Sequence, residues 1–143
     1  TGAGDGIGKQ AAITFAKYGA ELILLGRTVA KLESTYDAII NNGGVTPTIV
    51  PIDFKGATLK HYQDMIASIE GQYKKIDVVL FNASILGNLC PFEEIKESEF
   101  LEVNQVNVNS QFFMSQALLP LLKKNKLASV IYTTYSVVRT GRA

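Results

Sequence analysis

The eight residues TGAGDGIG at positions 1–8 constrain this chain more than any other stretch, because a glycine-rich turn that runs straight into a helix has few structural uses. Glycines at 2, 6 and 8 leave room for positive φ and for close backbone approach. Successive N–H groups can then face a phosphate at the positive end of the adjoining helix. Gly4 adds further freedom. The segment therefore reads as a nucleotide-binding turn with Gly2, Gly4, Gly6 and Gly8 as its contact points. Its spacing is G-x-x-x-G-x-G and not the G-x-G-x-x-G of the commonest dinucleotide fingerprint, so the match is one of mechanism and not of letters. A merely flexible glycine-rich segment is the alternative.

The residues after the turn favour the first reading. Ile7, Ala11, Phe15 and Tyr18 recur at near-helical spacing, and Gly19 ends the run. ELILLG at 21–26 is a short apolar strand, so the order is turn, helix, strand, the middle of a βαβ unit. Thr28 is placed to cap a helix to about Asn41 with Val29, Leu32, Tyr36, Ile39 and Ile40 on one face. The strand at 46–53 carries two prolines, which put it at a sheet edge, and Asp53 stands at its carboxyl end. A helix with Leu59, Tyr62, Ile66, Ile69 and Tyr73 leads to IDVVLF at 76–81, a near-continuous apolar run of the kind buried on both faces. Residues 82–97 form a long loop at the carboxyl end of that strand, where open α/β sheets bind ligands. Ser98 then caps a long helix to about Lys124, with Phe100, Val103, Val106, Phe113, Ala117 and Leu121 inward and Pro120 bending its last turns. ASVIYTT at 128–134 is a further strand.

This alternation implies an α/β fold, a doubly wound parallel sheet joined by right-handed crossovers. The glycine turn calls for a strand before it that these residues do not include. The expected order 3-2-1-4-5 is thus left with a gap at its centre, and residues 1–143 are expected to form one incomplete nucleotide-binding domain, barely stable by itself.

Composition narrows the function classes. A hydrophobic content of 47% with 19% charged residues is ordinary for a soluble globular protein. Fourteen basic against 13 acidic residues give no sign of a nucleic-acid partner or an acidic membrane. No stretch approaches the ~20 apolar residues of a membrane-spanning helix, and no signal peptide opens the chain. One cysteine, Cys90, allows no internal disulfide and agrees with a reducing cytosol, so a cytoplasmic protein is expected. A catalytic thiol would want a nearby histidine, but the one histidine, His61, falls on the polar side of its helix and reads as solvated surface. No metal-ligand pattern is present.

TGAGDGIG at 1–8, FNAS at 81–84 and VNVN at 106–109, taken jointly and in order, resemble the short-chain dehydrogenase/reductase family over the whole chain. FNAS departs from the family's NNAG in having Phe for the first Asn and Ser84 for Gly. LILLGR, NASILGNLCP, QVNVN and SQALLPLL look like the YciK-type bacterial oxidoreductases within it. The resemblance implies a Rossmann-type sheet, NAD(P)(H), and hydride transfer to or from the carbonyl or alcohol carbon of a small molecule. It also implies a homo-oligomer built on the long helix and the one after it. Residue by residue, it implies cofactor contacts from the glycine turn, including Asp5 and Ile7, from Asp53 at the adenine and Phe54 beside it, and from Asn82, Ala83 and Ser84. It places Asn107 at the active site, and Asn104, Asn107 and Asn109, poor helix formers in mid-helix, invite a reason other than folding. NAD selection usually places an acid about 20 residues past the turn; Gly26 and Arg27 stand there, and arginine suits a 2′-phosphate, so NADP is expected, with NAD possible. Asp5 argues mildly the other way.

The family's chemistry uses Asn, Ser, Tyr and Lys, the last two as Y-x-x-x-K. No such pair occurs in these 143 residues. Tyr135 stands where the serine belongs, and Ser136, the candidate hydroxyl, is one step on, where a strand end faces the other side of the sheet. Tyr135 and Arg139 form a Y-x-x-x-R, but arginine stays protonated and cannot join a proton relay. Two function classes result: an oxidoreductase of which this chain is the cofactor-binding part, or a non-catalytic, degenerate nucleotide-binding module. Asn107 and Ser136 are the catalytic candidates of the first.

Overall fold

The computed structural model describes residues 1–134. Its elements run α1 (Gly6–Lys17), β1 (Ile23–Gly26), α2 (Val29–Asn41), β2 (Thr48–Pro51), α3 (Leu59–Glu70), β3 (Val78–Phe81), a 3₁₀ turn (Phe92–Glu94), α4 (Glu97–Asn104), a π turn (Gln105–Asn109), α5 (Ser110–Leu122) and β4 (Ser129–Tyr132).

The strands form two parallel pairs. β1 lies beside β2 with Ile23 opposite Thr48, and β3 beside β4 with Val78 opposite Ser129. Successive residues of β1 enter different cores: Leu24 packs with Ala12, Ala16, Leu32 and Ile39 of α1 and α2, Leu25 with Tyr62, Ile66, Met114 and Leu118 of α3 and α5. Helices thus cover both faces of the β1–β2 pair, and β2, like every strand of a two-stranded sheet, keeps one unpaired edge, which its prolines suit. The expected central gap is present. A slot of about 560 Å³ lies between the free edges of β1 and β3, with Ala12 and Phe15 of α1 on one side and Met114 and Leu118 of α5 on the other.

β3 differs from expectation for this reason. Its pattern indicates burial on both faces, yet Val78 is 44% exposed and Val79 and Leu80 are only half-buried, because one edge of the strand opens on the slot.

The inward face of α1 is also not the expected one. Gly8, Ala12 and Ala16 are buried, whereas Ile7 is 69% and Tyr18 85% exposed. The helix lies so close to the turn before it that only small side chains fit, and a Cβ on Gly8 would strike the carbonyl oxygen of Gly2. On α2 the buried set is Leu32, Thr35 and Ile39, with Val29 and Ile40 turned outward. Thr35 is tolerated in the core because its hydroxyl donates to the Ala3 carbonyl at 2.8 Å. α3 buries Tyr62, Ile66 and Ile69 as its periodicity indicates. His61 is exposed and acts as the reciprocal partner in the Thr58 capping box, its Nδ1 accepting from the Thr58 amide at 3.0 Å.

The long helix starts at Glu97 with Lys96, not Ser98, at the N-cap, and it is interrupted by the π turn. One extra residue in a helical turn rotates the helix on its amino side by roughly 100° against the helix on its carboxyl side. Phe100, expected inward, is accordingly 59% exposed, while Val106, Met114, Leu118, Leu121 and Leu122 are buried.

Candidate functional site

All four strands are parallel within their pairs, and their carboxyl ends open toward the glycine turn and the loops that leave β2 and β3. The turn is anchored to both strand pairs. The Thr1 backbone nitrogen donates to the Leu80 carbonyl at 2.8 Å, and the Ala3 amide to the Leu25 carbonyl at 3.1 Å. The Thr1 hydroxyl accepts from the amides of Asn82 and Ala83, each at 2.9 Å. Gly2 adopts φ +66°, and a Cβ there would lie 3.1 Å from the Ala83 Cα. The turn is therefore seated directly on the residues that leave β3. At the start of α1, helix geometry leaves the amides of Ile7 and Gly8 without an intrahelical acceptor.

Asp5 is the N-cap of α1, its carboxylate accepting from the Gly6 amide at 2.8 Å and from the Lys31 ammonium at 2.5 Å. Lys31, first by that hydrogen bond, and then the Gly6 amide hold the Asp5 carboxyl below its ordinary pKa. The carboxylate in the turn is thus matched by a cation from α2. Gly4 packs against the same lysine: a Cβ there would come within 2.9 Å of the Lys31 Cβ.

The remaining candidates distribute around this centre. Arg27 is exposed immediately after β1. Asp53 is exposed after β2, and its carboxylate accepts from the Lys55 amide at 3.1 Å. Phe54 is a core side chain, its ring 6.4 Å from that of Tyr62. Asn82 and Ala83 are half-buried under the turn, Ser84 is exposed, and the Asn82 Oδ1 accepts from the Thr133 hydroxyl at 3.3 Å. Asn107 projects from the π turn to Ile85, accepting from its amide at 2.9 Å and donating to its carbonyl at 2.8 Å, which fixes the loop after β3. The structure thus brings together Gly2, Gly8, Asn82 and Ala83, and sets Asn107 against the same loop three residues on. Ser136, Tyr135 and Arg139 lie outside the described residues.

Three contributors are not singled out by the sequence: Thr1, Lys31 and Gln105. Thr1 opens the glycine motif, so its hydroxyl is a visible candidate. Gln105 belongs with Asn107 and Asn109 to a polar cluster in mid-helix, the same signal that marks Asn107. Lys31 carries no comparable mark.

Chemically, the arrangement offers amide donors, an exposed guanidinium and a carboxamide-pinned loop, the equipment of an anion-binding cleft. Among the described residues no group of three or more His, Cys, Asp or Glu side chains could hold a metal ion, and no helix is long and apolar enough to cross a membrane.

The family model for short chain dehydrogenases matches residues 1–141. The uncharacterized oxidoreductase YciK of Escherichia coli K12 is 43% identical over all 143 residues, which cover 57% of that protein. A short chain dehydrogenase from Shigella flexneri 2a, solved as a complex with NADP, superposes with a TM-score of 0.95 at 42% identity, over 99% of this chain and 59% of that one. One from Escherichia coli CFT073, complexed with NADPH, gives 0.94 at 43% identity, over 99% and 59%. The chain spans a little over half the length of these relatives.

Proposed function

The chain belongs to the short chain dehydrogenase family, and we propose that it is the cofactor-binding part of an oxidoreductase that passes a hydride between NADP(H) and the carbonyl or alcohol carbon of a small molecule. The observation that carries this reading is the seating of the glycine turn on Asn82 and Ala83. At Gly8 the space a Cβ would fill is already taken by backbone and at Gly2 it is crowded by the Ala83 backbone, so the turn is held close, with the start of α1 facing the cleft. The amides of Ile7 and Gly8 would receive the pyrophosphate, Arg27 the 2′-phosphate, Asp53 the adenine side, and residues 82–84 the middle of the cleft. Lys31 offsets the one carboxylate that would repel a phosphate there. When bound, the nicotinamide supplies or accepts the hydride. Asn107 holds the loop at Ile85, and Ser136 is the hydroxyl that would orient the substrate oxygen. The NADP and NADPH complexes of the relatives support the choice of cofactor. We further propose that residues 1–143 act as one nucleotide-binding domain. The outward Phe100, Leu101, Val108 and Phe112 of the long helix support self-association of the whole protein.

The test is a titration of the whole protein with NADPH and NADH. Arg27→Ala is expected to weaken NADPH binding about tenfold, near 1.4 kcal/mol, and to leave NADH unchanged. Equal affinity for the two cofactors in the unaltered protein, or no loss in Arg27→Ala, overturns the assignment. Tyr135 at the serine position favours a second reading, a degenerate module that binds its nucleotide without turnover. Carbonyl reduction that appears only in Tyr135→Ser would select it.

A further inference from the structure

The π turn grips two loops at once. Asn107 holds the one after β3 at Ile85, and Gln105 reaches the one after β2. The Gln105 Nε2 donates to the carbonyls of Phe54 at 3.3 Å and Ala57 at 2.9 Å, and its Oε1 accepts from Asn109 at 3.1 Å. Both amide hydrogens and the carbonyl oxygen are thereby engaged. The two carbonyls belong to residues 53–58, the segment that leaves β2. Phe54 and Ala57 are buried, so this segment is pinned from inside, and a Lys55–Glu102 ion pair at 2.6 Å ties it to α4 from outside. Asp53, beside these attachments, stays exposed. An α-helix sets positions two apart about 200° round its axis, and a widened π turn, a feature that concentrates at functional sites, here lets both side chains meet loops at the carboxyl ends of different strands.

We propose that Gln105 is a positioning residue of the cofactor site, which, by tying the Phe54 and Ala57 carbonyls to the turn that carries Asn107, fixes where Asp53 stands at the adenine end of the cleft. The inference rests on the assignment of Asp53 to the adenine side. Without the two donors the segment loses its inner attachment and Asp53 its place, and the loss falls on the adenine half of the ligand.

The experiment uses the whole protein, with Gln105→Met, which keeps the length and removes the donors, and Gln105→Glu, which keeps the shape and presents acceptors to two carbonyls. The probes are NADPH and adenosine 2′,5′-bisphosphate, which lacks the nicotinamide half, titrated well below the thermal midpoint of each variant. Both variants are expected to bind both probes about tenfold more weakly, with the same factor for each, as losses of a group supporting a ligand contact do. Unchanged affinities with only a lowered Tm would make Gln105 a structural tie and overturn the proposal. A loss confined to NADPH would also overturn it, because the defect would then lie at the nicotinamide end. Should Gln105→Met not fold, Gln105→Asn, one methylene short of the two carbonyls, carries the same expectation. An unaltered protein that binds neither probe overturns the cofactor reading and this inference together, whereas tight binding that survives in the variants overturns the inference alone.

Discussion

Thr1 concentrates more long-range bonding than any residue of the glycine turn, and its contacts translate into measurable effects. Its hydroxyl serves two amides more than 80 residues away. Thr1→Val keeps the shape and leaves both amides without that acceptor, an expected loss of about 1 to 3 kcal/mol in stability by urea denaturation. In a polypeptide that begins at Thr1, burial of the α-amine pushes its pKa down from 8.0 to about 6. Between pH 6 and 8 the unfolded chain therefore holds more proton than the folded one, so stability rises with pH across that window and is lost as pH falls through it. For a polypeptide beginning at Thr1 the change should reach about 2 to 3 kcal/mol, at roughly 1.36 kcal/mol for each pH unit between the two pKa values, and acetylating the amine should flatten the profile. The sequence reveals some residues and hides others for a plain reason. Gly2 and Gly6 are legible because φ values of +66° and +49° suit glycine alone, and Asn107 because an asparagine in mid-helix costs propensity. Thr1 and Gln105 carry local marks, the head of the glycine motif and the mid-helix polar run, but their partners lie 81 and 51 residues away and nothing beside them in the chain names those partners.

Among the elements, the order and type of helices and strands follow from periodicity and punctuation, while the faces do not always. In α1 the large apolar residues suggest the inward side, but proximity to the glycine turn and β1 selects Gly8, Ala12 and Ala16. Ala16 offers a test of this face, since it is buried and a Cβ on Gly44 would lie 3.2 Å from its own. Ala16→Leu should destabilise the protein by about 1 to 3 kcal/mol through overpacking, read as a lower denaturant midpoint at unchanged m-value, although leucine is the more hydrophobic residue. The long helix departs from its expected face for a related reason. A 3.6-residue period carried straight through positions 105–109 ignores the widening into a π turn, and it turns Phe100 inward where the structure leaves it exposed. No simple composition rule marks such a turn, and what betrays it is the alternating polar run Gln105, Asn107, Asn109.

For the whole molecule, the strand order and its central gap are the most legible feature, because a glycine turn of this type comes after a strand and the pattern of the other strands fixes where that strand belongs. The slot between β1 and β3 holds room for about five aliphatic side chains at ~1.5 to 3 kcal/mol each, which rivals the ~5 to 15 kcal/mol stability of an entire domain. A purified polypeptide of residues 1–143 is accordingly expected to unfold over a broad, weakly cooperative thermal transition, and a sharp one with agreeing calorimetric and van't Hoff enthalpies would contradict this. The same polypeptide is expected to show no NADPH-dependent carbonyl reduction. It contains no Y-x-x-x-K pair, and general acid–base help of that kind is worth about 10² to 10⁴ in rate. Turnover by residues 1–143 alone would overturn the assignment of roles.

In a polypeptide of residues 1–143 alone, the slot is also a receptor. Its walls are two strand edges with their hydrogen-bonding groups facing each other and apolar side chains above and below, the environment in which an extended peptide gains both ladder bonds and burial. A short synthetic peptide of β-branched and aliphatic residues, laid in parallel to β1 and β3, would then be a ligand for the native state only. Mass action makes such a ligand stabilise the chain by RT ln(1 + [L]/Kd), about 2.7 kcal/mol at a hundredfold excess over Kd. Foldedness in that polypeptide would become a dose–response curve, with its thermal midpoint climbing as peptide is added and falling again on dialysis.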